Sequence, residues 1–151
     1  MSKLKLAIQK NGRLSEKSLK LLEECGIKIS NGTRKLKSVS SNFPLEILFL
    51  RDDDIPQYVE QGVADIGIIG LNEVLEQKKN IAVVQKLGFA QCRLSLAIPK
   101  EETYKGIQYF ENKKVATSYP EILSNYFQKN NINVQIEKIC RSVEIAPGIG
   151  L

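Results

Sequence analysis

Residues 45–70 read LEILFLRDDDIPQYVEQGVADIGIIG. Leu45 to Leu50 is an apolar run broken only by Glu46, the pattern of a strand buried on both faces. Asp52, Asp53 and Asp54 follow. Ile55-Pro56-Gln57-Tyr58-Val59 then opens a short helix, in which Pro56 suits the first turn and would not suit the interior. Asp65 to Ile69 is a second buried strand, with Gly62 and Gly70 on either side. Strand, helix and strand in such short compass predict a βαβ unit and a parallel sheet.

The same alternation extends both ways. Upstream, Lys5 to Gln9 is a short strand, and Ser15 is positioned to cap a helix with Glu16 in its first turn. Leu14, Ser18, Leu21, Leu22 and Cys25 fall on one helical face, and Gly26 ends the helix in the left-handed conformation that costs glycine least. Downstream, Val74 and Leu75 lie on a short helix and Ile81 to Val84 reads as a strand. The pattern changes around Leu87-Gly88-Phe89-Ala90. Arg93 to Ile98 alternates as a strand, Pro99 breaks it, and Lys114 to Thr117 is another strand. Ile122, Leu123, Tyr126 and Phe127 form a helical stripe, and Val134 to Ile139 is the last strand. The predicted fold is α/β, with two lobes of mixed, mostly parallel sheet and flanking helices. The first lobe is placed at residues 1–91 and the second at 92–151.

Composition narrows the chemistry. The 151 residues include 22 basic and 17 acidic side chains, a formal charge of +5, with 42% hydrophobic and 26% charged residues. That is a folding composition, not a disordered one. The basic residues are scattered among acids without an aromatic stacking platform, which argues against nucleic acid as a partner. No run is apolar and long enough to span a membrane, and the start Met-Ser-Lys-Leu-Lys lacks the pattern of a secretory signal, so a cytoplasmic location is expected. The chain has no histidine. Ser–His and Cys–His dyads are therefore excluded, as is zinc held on imidazole. Cys25, Cys92 and Cys140 are widely spaced and odd in number, which favours reduced thiols over a disulfide framework.

Four segments can carry chemistry. Gln9-Lys10-Asn11-Gly12-Arg13-Leu14-Ser15 joins a strand to a helix, and its glycine, amides and two cations make an anion cradle, or else a plain turn with solvated side chains. In Arg51-Asp52-Asp53-Asp54 the carboxylates either cap the helix that follows or take part in holding a polyphosphate, its magnesium or a ribose. The reading adopted assigns capping to Asp53 or Asp54 and leaves Arg51 facing the cleft. The glycines around residues 62–70 allow close backbone passage, but their spacing is not the dinucleotide fingerprint. Ser118, at a strand-to-helix junction, can bind an anion or a sugar hydroxyl or else cap a helix, and Ser142 can cap a helix with Glu144 in its first turn.

Taken in order, the stretches AIQKNGRLSEKSLKLLEECGIKI, FPLEILFLRDDDIPQYVEQGVADIGIIG, KLGFAQCRLSLAIPK, VATSYP and SVEIAPGIGL resemble the ATP phosphoribosyltransferase family, the first enzyme of histidine biosynthesis, and more its long form than its short one. The resemblance implies a periplasmic-binding-protein-like fold, incomplete at the C-terminus. It also implies attack of the adenine nitrogen at position 1 of ATP on the anomeric carbon of phosphoribosyl pyrophosphate. Pyrophosphate leaves, magnesium is held through the substrate phosphates, and no acid or base residue is assigned. By resemblance, Lys10, Gly12, Arg13 and Leu14 contact nucleotide or pyrophosphate and Arg51 contacts phosphate. Cys92 and Arg93 line the cleft, and Ser118, Tyr119 and Glu144 contribute from the second lobe. The family usually has glycine where this chain has Ala90 and Arg141. Its sequence continues into a ribose 5-phosphate loop, strands that return to the first lobe and, in the long form, a regulatory domain, none of which lies in residues 1–151. A homo-oligomer is expected by analogy. The alternative is a non-catalytic two-lobed nucleotide- or anion-binding module.

Overall fold

The computed structural model describes residues 2–30, 36–140 and 142–149. The chain divides into two compact units, Met1–Cys92 and Arg93–Leu151.

In the first unit, β1 (Leu4–Gln9) leads into α1 (Arg13–Glu24), followed by β2 (Lys37–Val39), β3 (Leu45–Leu50), α2 (Ile55–Glu60), β4 (Ile66–Ile68) and α3 (Leu71–Gln77). The sheet order is β2-β3-β1-β4. β1 is central and parallel to both β3 and β4, and β2 runs antiparallel to β3. β1 is buried on both faces because its alternate residues serve different layers. Leu6 and Ile8 pack with Leu22, Leu45 and Ile47, whereas Ala7 packs with Ile55 and Ala64. β4 lies so close to α2 that a Cβ on Gly67 would fall 2.6 Å from Ile55 Cγ2 and 3.3 Å from Val59 Cγ2.

In the second unit a 3₁₀ turn (Ile107–Phe110) precedes β5 (Lys113–Thr117), α4 (Pro120–Lys129), β6 (Val134–Lys138) and a second 3₁₀ segment (Val143–Ile149). β5 and β6 are parallel. Phe110, Phe127 and Ile132 form the core, with Leu96, Ile98, Leu123 and Val134 against it.

This is the α/β, mostly parallel architecture expected, with several local corrections. α1 begins at Arg13 with Gly12 as its N-cap, so Ser15 is not a cap but a buried residue of the first turn. Gly12, at φ 96, turns the chain directly from β1 into the helix, which leaves no length for a later start. Cys25 leaves the predicted apolar face and sits exposed at the C-cap. Gly26, at φ 74, ends the helix as expected, its N–H bonded to Glu23 O and that of Ile27 to Leu22 O. Asp65 stands outside β4 and extends the pairing with its side chain: Oδ2 accepts the Lys5 N–H at 2.7 Å. Ile81–Val84 and Arg93–Ile98 have no ladder partners among the described residues. Their alternation favours extended backbone, but a strand also needs a neighbour, and Val84 stays 85% exposed. Ala90 has φ 50, in the left-handed region that glycine would occupy without strain. Arg141 lies outside the described residues.

The loop before β5 is clasped by an exposed cluster. The Tyr109 hydroxyl donates to the Glu102 carboxylate, and Lys113 Nζ lies 3.4 Å from that carboxylate and 3.7 Å from the Tyr109 ring centroid. The Tyr109 hydrogen bond first, and then the Lys113 charge, hold the Glu102 carboxyl below the ordinary carboxylate range; Tyr109 and then Glu102 push the Lys113 ammonium up. A lowered carboxylate contributes above its unfolded pKa and is lost as pH falls through the folded one. A raised ammonium contributes below its unfolded pKa and is lost as pH rises through the folded one, so neutral pH lies inside the window. Glu102→Gln should raise amide hydrogen exchange across residues 99–106 several-fold at pH 7 with global stability unchanged. Unaltered protection in that loop would show that the clasp restrains nothing.

Candidate functional site

The first unit gathers its candidate residues at the carboxyl ends of its parallel strands. Gln9 and Leu50 are the last register partners of β1 and β3, and the Lys10 N–H continues the pairing to Leu50 O at 2.8 Å. Lys10 and Arg51 thus leave adjacent strands, about 4.8 Å apart, at the same edge. This is where open α/β sheets bind ligands, because loops and helix N-termini converge there.

The β1–α1 turn gives that edge its positive character. Lys10, Gly12 and Arg13 are exposed, while Leu14 is half-buried, its carbonyl accepting Ser18 Oγ at 2.7 Å. No side chain caps α1, and the first backbone bond runs from the Glu16 N–H to Gly12 O at 3.1 Å. The amides of Arg13, Leu14 and Ser15 therefore open the helix at its positive end, beside two cations. A Cβ on Gly12 would meet nothing nearer than Gln9 Nε2 at 3.9 Å, so the demand for glycine there is conformational and not steric.

Arg51 departs from the expectation. Its guanidinium does not face the edge unpaired: Nε donates to Asp53 Oδ1 at 3.1 Å and the terminal nitrogen to Oδ2 at 2.9 Å. Asp53 therefore does not cap α2. The N-cap is Asp54, with no side-chain cap bond, because its backbone is already helical at φ −88, ψ −26. Asp53 is held by its main chain as well, its carbonyl accepting Gln77 Nε2 from α3 at 2.7 Å. Neither this fork nor the Gln77 contact was foreseen. The proximity of Arg51 and Asp53 in the sequence was a signal for the first, whereas nothing local could reveal the second.

Cys92 ends the first unit and Arg93 begins the second, both exposed and outside any helix or strand. In the second unit the strand ends again carry the candidates. Ser118 Oγ donates to Ile139 O at 2.7 Å, joining the ends of β5 and β6. Its proton is thus committed, and it does not cap α4; that position is Tyr119, whose N–H donates to Thr117 Oγ1 at 2.9 Å. Ser142 has φ 58 and precedes a 3₁₀ segment, not the α-helix expected, with Pro147 inside it and Glu144 exposed. That segment lies against β5. Among the described residues no group of three or more acidic or cysteine side chains is placed to hold a metal ion. A shallow hollow lined by Lys17, Lys20, Leu21, Glu24 and Phe89 contains none of the candidate contacts.

Together these features define a two-unit α/β protein that carries Lys10 and Arg13 where its central parallel strand turns into a helix. The family model for HisG, ATP phosphoribosyltransferase, matches residues 51–151. An ATP phosphoribosyltransferase of Cytophaga hutchinsonii is 58% identical over 148 residues, which is 98% of this chain and 52% of that protein. One of Bacteroides thetaiotaomicron is 54% identical over the same shares. The solved ATP phosphoribosyl transferase (HisG:HisZ) complex from Thermotoga maritima contains a chain 28% identical, with TM-score 0.67, matched over 97% of this chain and 69% of that one. The chain belongs to the ATP phosphoribosyltransferase family. It spans about half the length of the curated relatives it matches.

Proposed function

We propose that the chain serves phosphoribosyl transfer from phosphoribosyl pyrophosphate to the adenine nitrogen at position 1 of ATP. The observation that carries this reading is the Lys10–Arg13 turn at the carboxyl edge of β1, beside Arg51 just past the end of β3, in a chain of this family. The adenine nitrogen forms a bond to the anomeric carbon as the bond to pyrophosphate breaks, and the pyrophosphate leaves with its electron pair. The sugar passes through an oxocarbenium-like state, so alignment and charge stabilisation matter more than a strong base. That suits a site without histidine. Lys10, Arg13 and the amides opening α1 hold phosphate oxygens, and Arg51 adds a second cationic point. Magnesium, held through the substrate phosphates, would neutralise the leaving group's charge. Cys92, Arg93, Ser118, Tyr119 and Glu144 are further substrate contacts in this reading, by family resemblance.

The same reading places the protein in the cytoplasm, in keeping with three free thiols. It also places it in an oligomer, in keeping with a solved relative that is itself a complex. The second reading is a non-catalytic nucleotide- or anion-binding module, for which the exposed Lys10, Gly12 and Arg13 turn would suffice.

The test measures ATP binding, and pyrophosphate release with phosphoribosyl pyrophosphate and magnesium, for this chain and an Arg13→Ala variant. Loss of a charged hydrogen bond to phosphate should weaken ATP binding about tenfold or more. Turnover abolished by the substitution supports transfer, and binding without turnover supports the module. ATP affinity indifferent to Arg13→Ala sinks both.

A further inference from the structure

We propose that Asp53 is an intramolecular competitor for the anion site, occupying the Arg51 guanidinium until a phosphate displaces it; this rests on the reading of Arg51 as a phosphate contact. The two carboxylate oxygens meet Nε and the terminal nitrogen at 3.1 and 2.9 Å. That is the two-point geometry by which arginine also takes a phosphate, so the carboxylate and a ligand phosphate use the same donors. Asp53 is not carried there by a loosely held loop. Gln77 Nε2 fixes its carbonyl at 2.7 Å, and the same amide nitrogen lies 3.2 Å from Glu73 Oε2 one turn earlier in α3. The turn is thereby tied to a helix that follows β4, at the same sheet edge.

The pair is half to two-thirds exposed, with side-chain exposures of 63% for Arg51 and 50% for Asp53. It is therefore weak enough to open. Its function is selective: an anion of low charge, such as a carboxylate, gains little by replacing one already in place, whereas a pyrophosphate group offers more charge to the same donors. Asp53 thus disfavours weak anions at Arg51 and lowers affinity for the intended ligand by the strength of one exposed ion pair.

The test uses inorganic pyrophosphate as probe, by calorimetry at about 0.15 M salt, with Asp53→Asn, Asp52→Asn, Arg51→Gln and the Arg51→Gln/Asp53→Asn double variant. Exposed pairs of this kind correspond to about two- to fivefold in an equilibrium constant, so Asp53→Asn should bind pyrophosphate tighter by that factor. Asp52→Asn removes the same charge one residue away and should give a smaller gain. In the Arg51→Gln background the Asp53→Asn gain should disappear, since no fork remains to be released. A gain that persists there, or that Asp52→Asn equals, would reduce Asp53 to general repulsion and overturn the proposal. If Arg51→Gln leaves pyrophosphate affinity unchanged, Arg51 is not a phosphate contact and the proposal falls with that reading. Arg51→Gln and Asp53→Asn alter only an exposed ion pair, and a thermal melt verifies that every variant folds.

Discussion

A Phe127→Ala variant is expected to unfold the second unit while the first keeps its structure. Phe127 is 1% exposed and packs at a tilt against Phe110 with ring centroids 5.5 Å apart, and Ile132 completes the buried cluster. Truncating a buried phenylalanine costs about 3–5 kcal/mol through lost transfer energy and the cavity left behind. The unit runs from Arg93 to Leu151, and a domain of that size holds about 3–9 kcal/mol in total. The core of the first unit shares no residue with this cluster. The chain has no tryptophan, and of its five tyrosines only Tyr58 lies in the first unit. Tyrosine fluorescence therefore reports chiefly on the second. In urea, the variant's tyrosine signal should begin unfolded, or nearly so, while far-ultraviolet circular dichroism retains a transition from the first unit. Two probes that still coincide at the original midpoint would show that Phe127 is not the centre of a separate core.

The first unit has its counterpart in Gly67→Val. The ideal Cβ at residue 67 already lies 2.6 Å from Ile55 Cγ2 and 3.3 Å from Val59 Cγ2. Ile55 is fully buried and β-branched, so its methyl group cannot rotate away cheaply. Overpacking of this kind costs about 1–3 kcal/mol, and valine, with two further carbons, should reach the upper end. For a unit of this size a loss of about 3 kcal/mol lowers Tm by roughly 12–24 °C. A Gly67→Ala variant should fall between it and the parent. Because β4 pairs with β1, which leads into the turn proposed to hold phosphate, ATP affinity should fall along with Tm. A Gly67→Val protein with unchanged Tm would mean that α2 can withdraw from β4 without penalty.

Most elements were legible because their information is local. The run at residues 45–50 is apolar at every position but Glu46, and β3 forms over those same residues. Pro56 stands in the first turn of α2 because its ring allows little else, and Gly26 ends α1 with positive φ because glycine takes that conformation without strain. The failures occurred where local chemistry leaves several outcomes open. Ser15, Ser118 and Asp53 all have side chains suited to capping, yet one is buried in its helix, one bonds Ile139 and one takes Arg51. A side chain able to cap will also bond any donor or acceptor that tertiary packing brings closer.

The sequence by itself determined the alternation of strands and helices, the glycine turn with its two cations, and the absence of histidine from these 151 residues, because each depends on residue type and short-range spacing. Only the tertiary structure decided that β1 is central, that its end meets the end of β3, that Gly67 must be small, and that Arg51 is occupied by Asp53. It also decided that Ile81–Val84 and Arg93–Ile98, though strand-like in pattern, carry no ladder among the described residues. The physical reason is common to all of these. A backbone preference belongs to the residue, whereas a strand neighbour, a tight contact or an ion pair needs a second segment, and only the fold brings that segment into place.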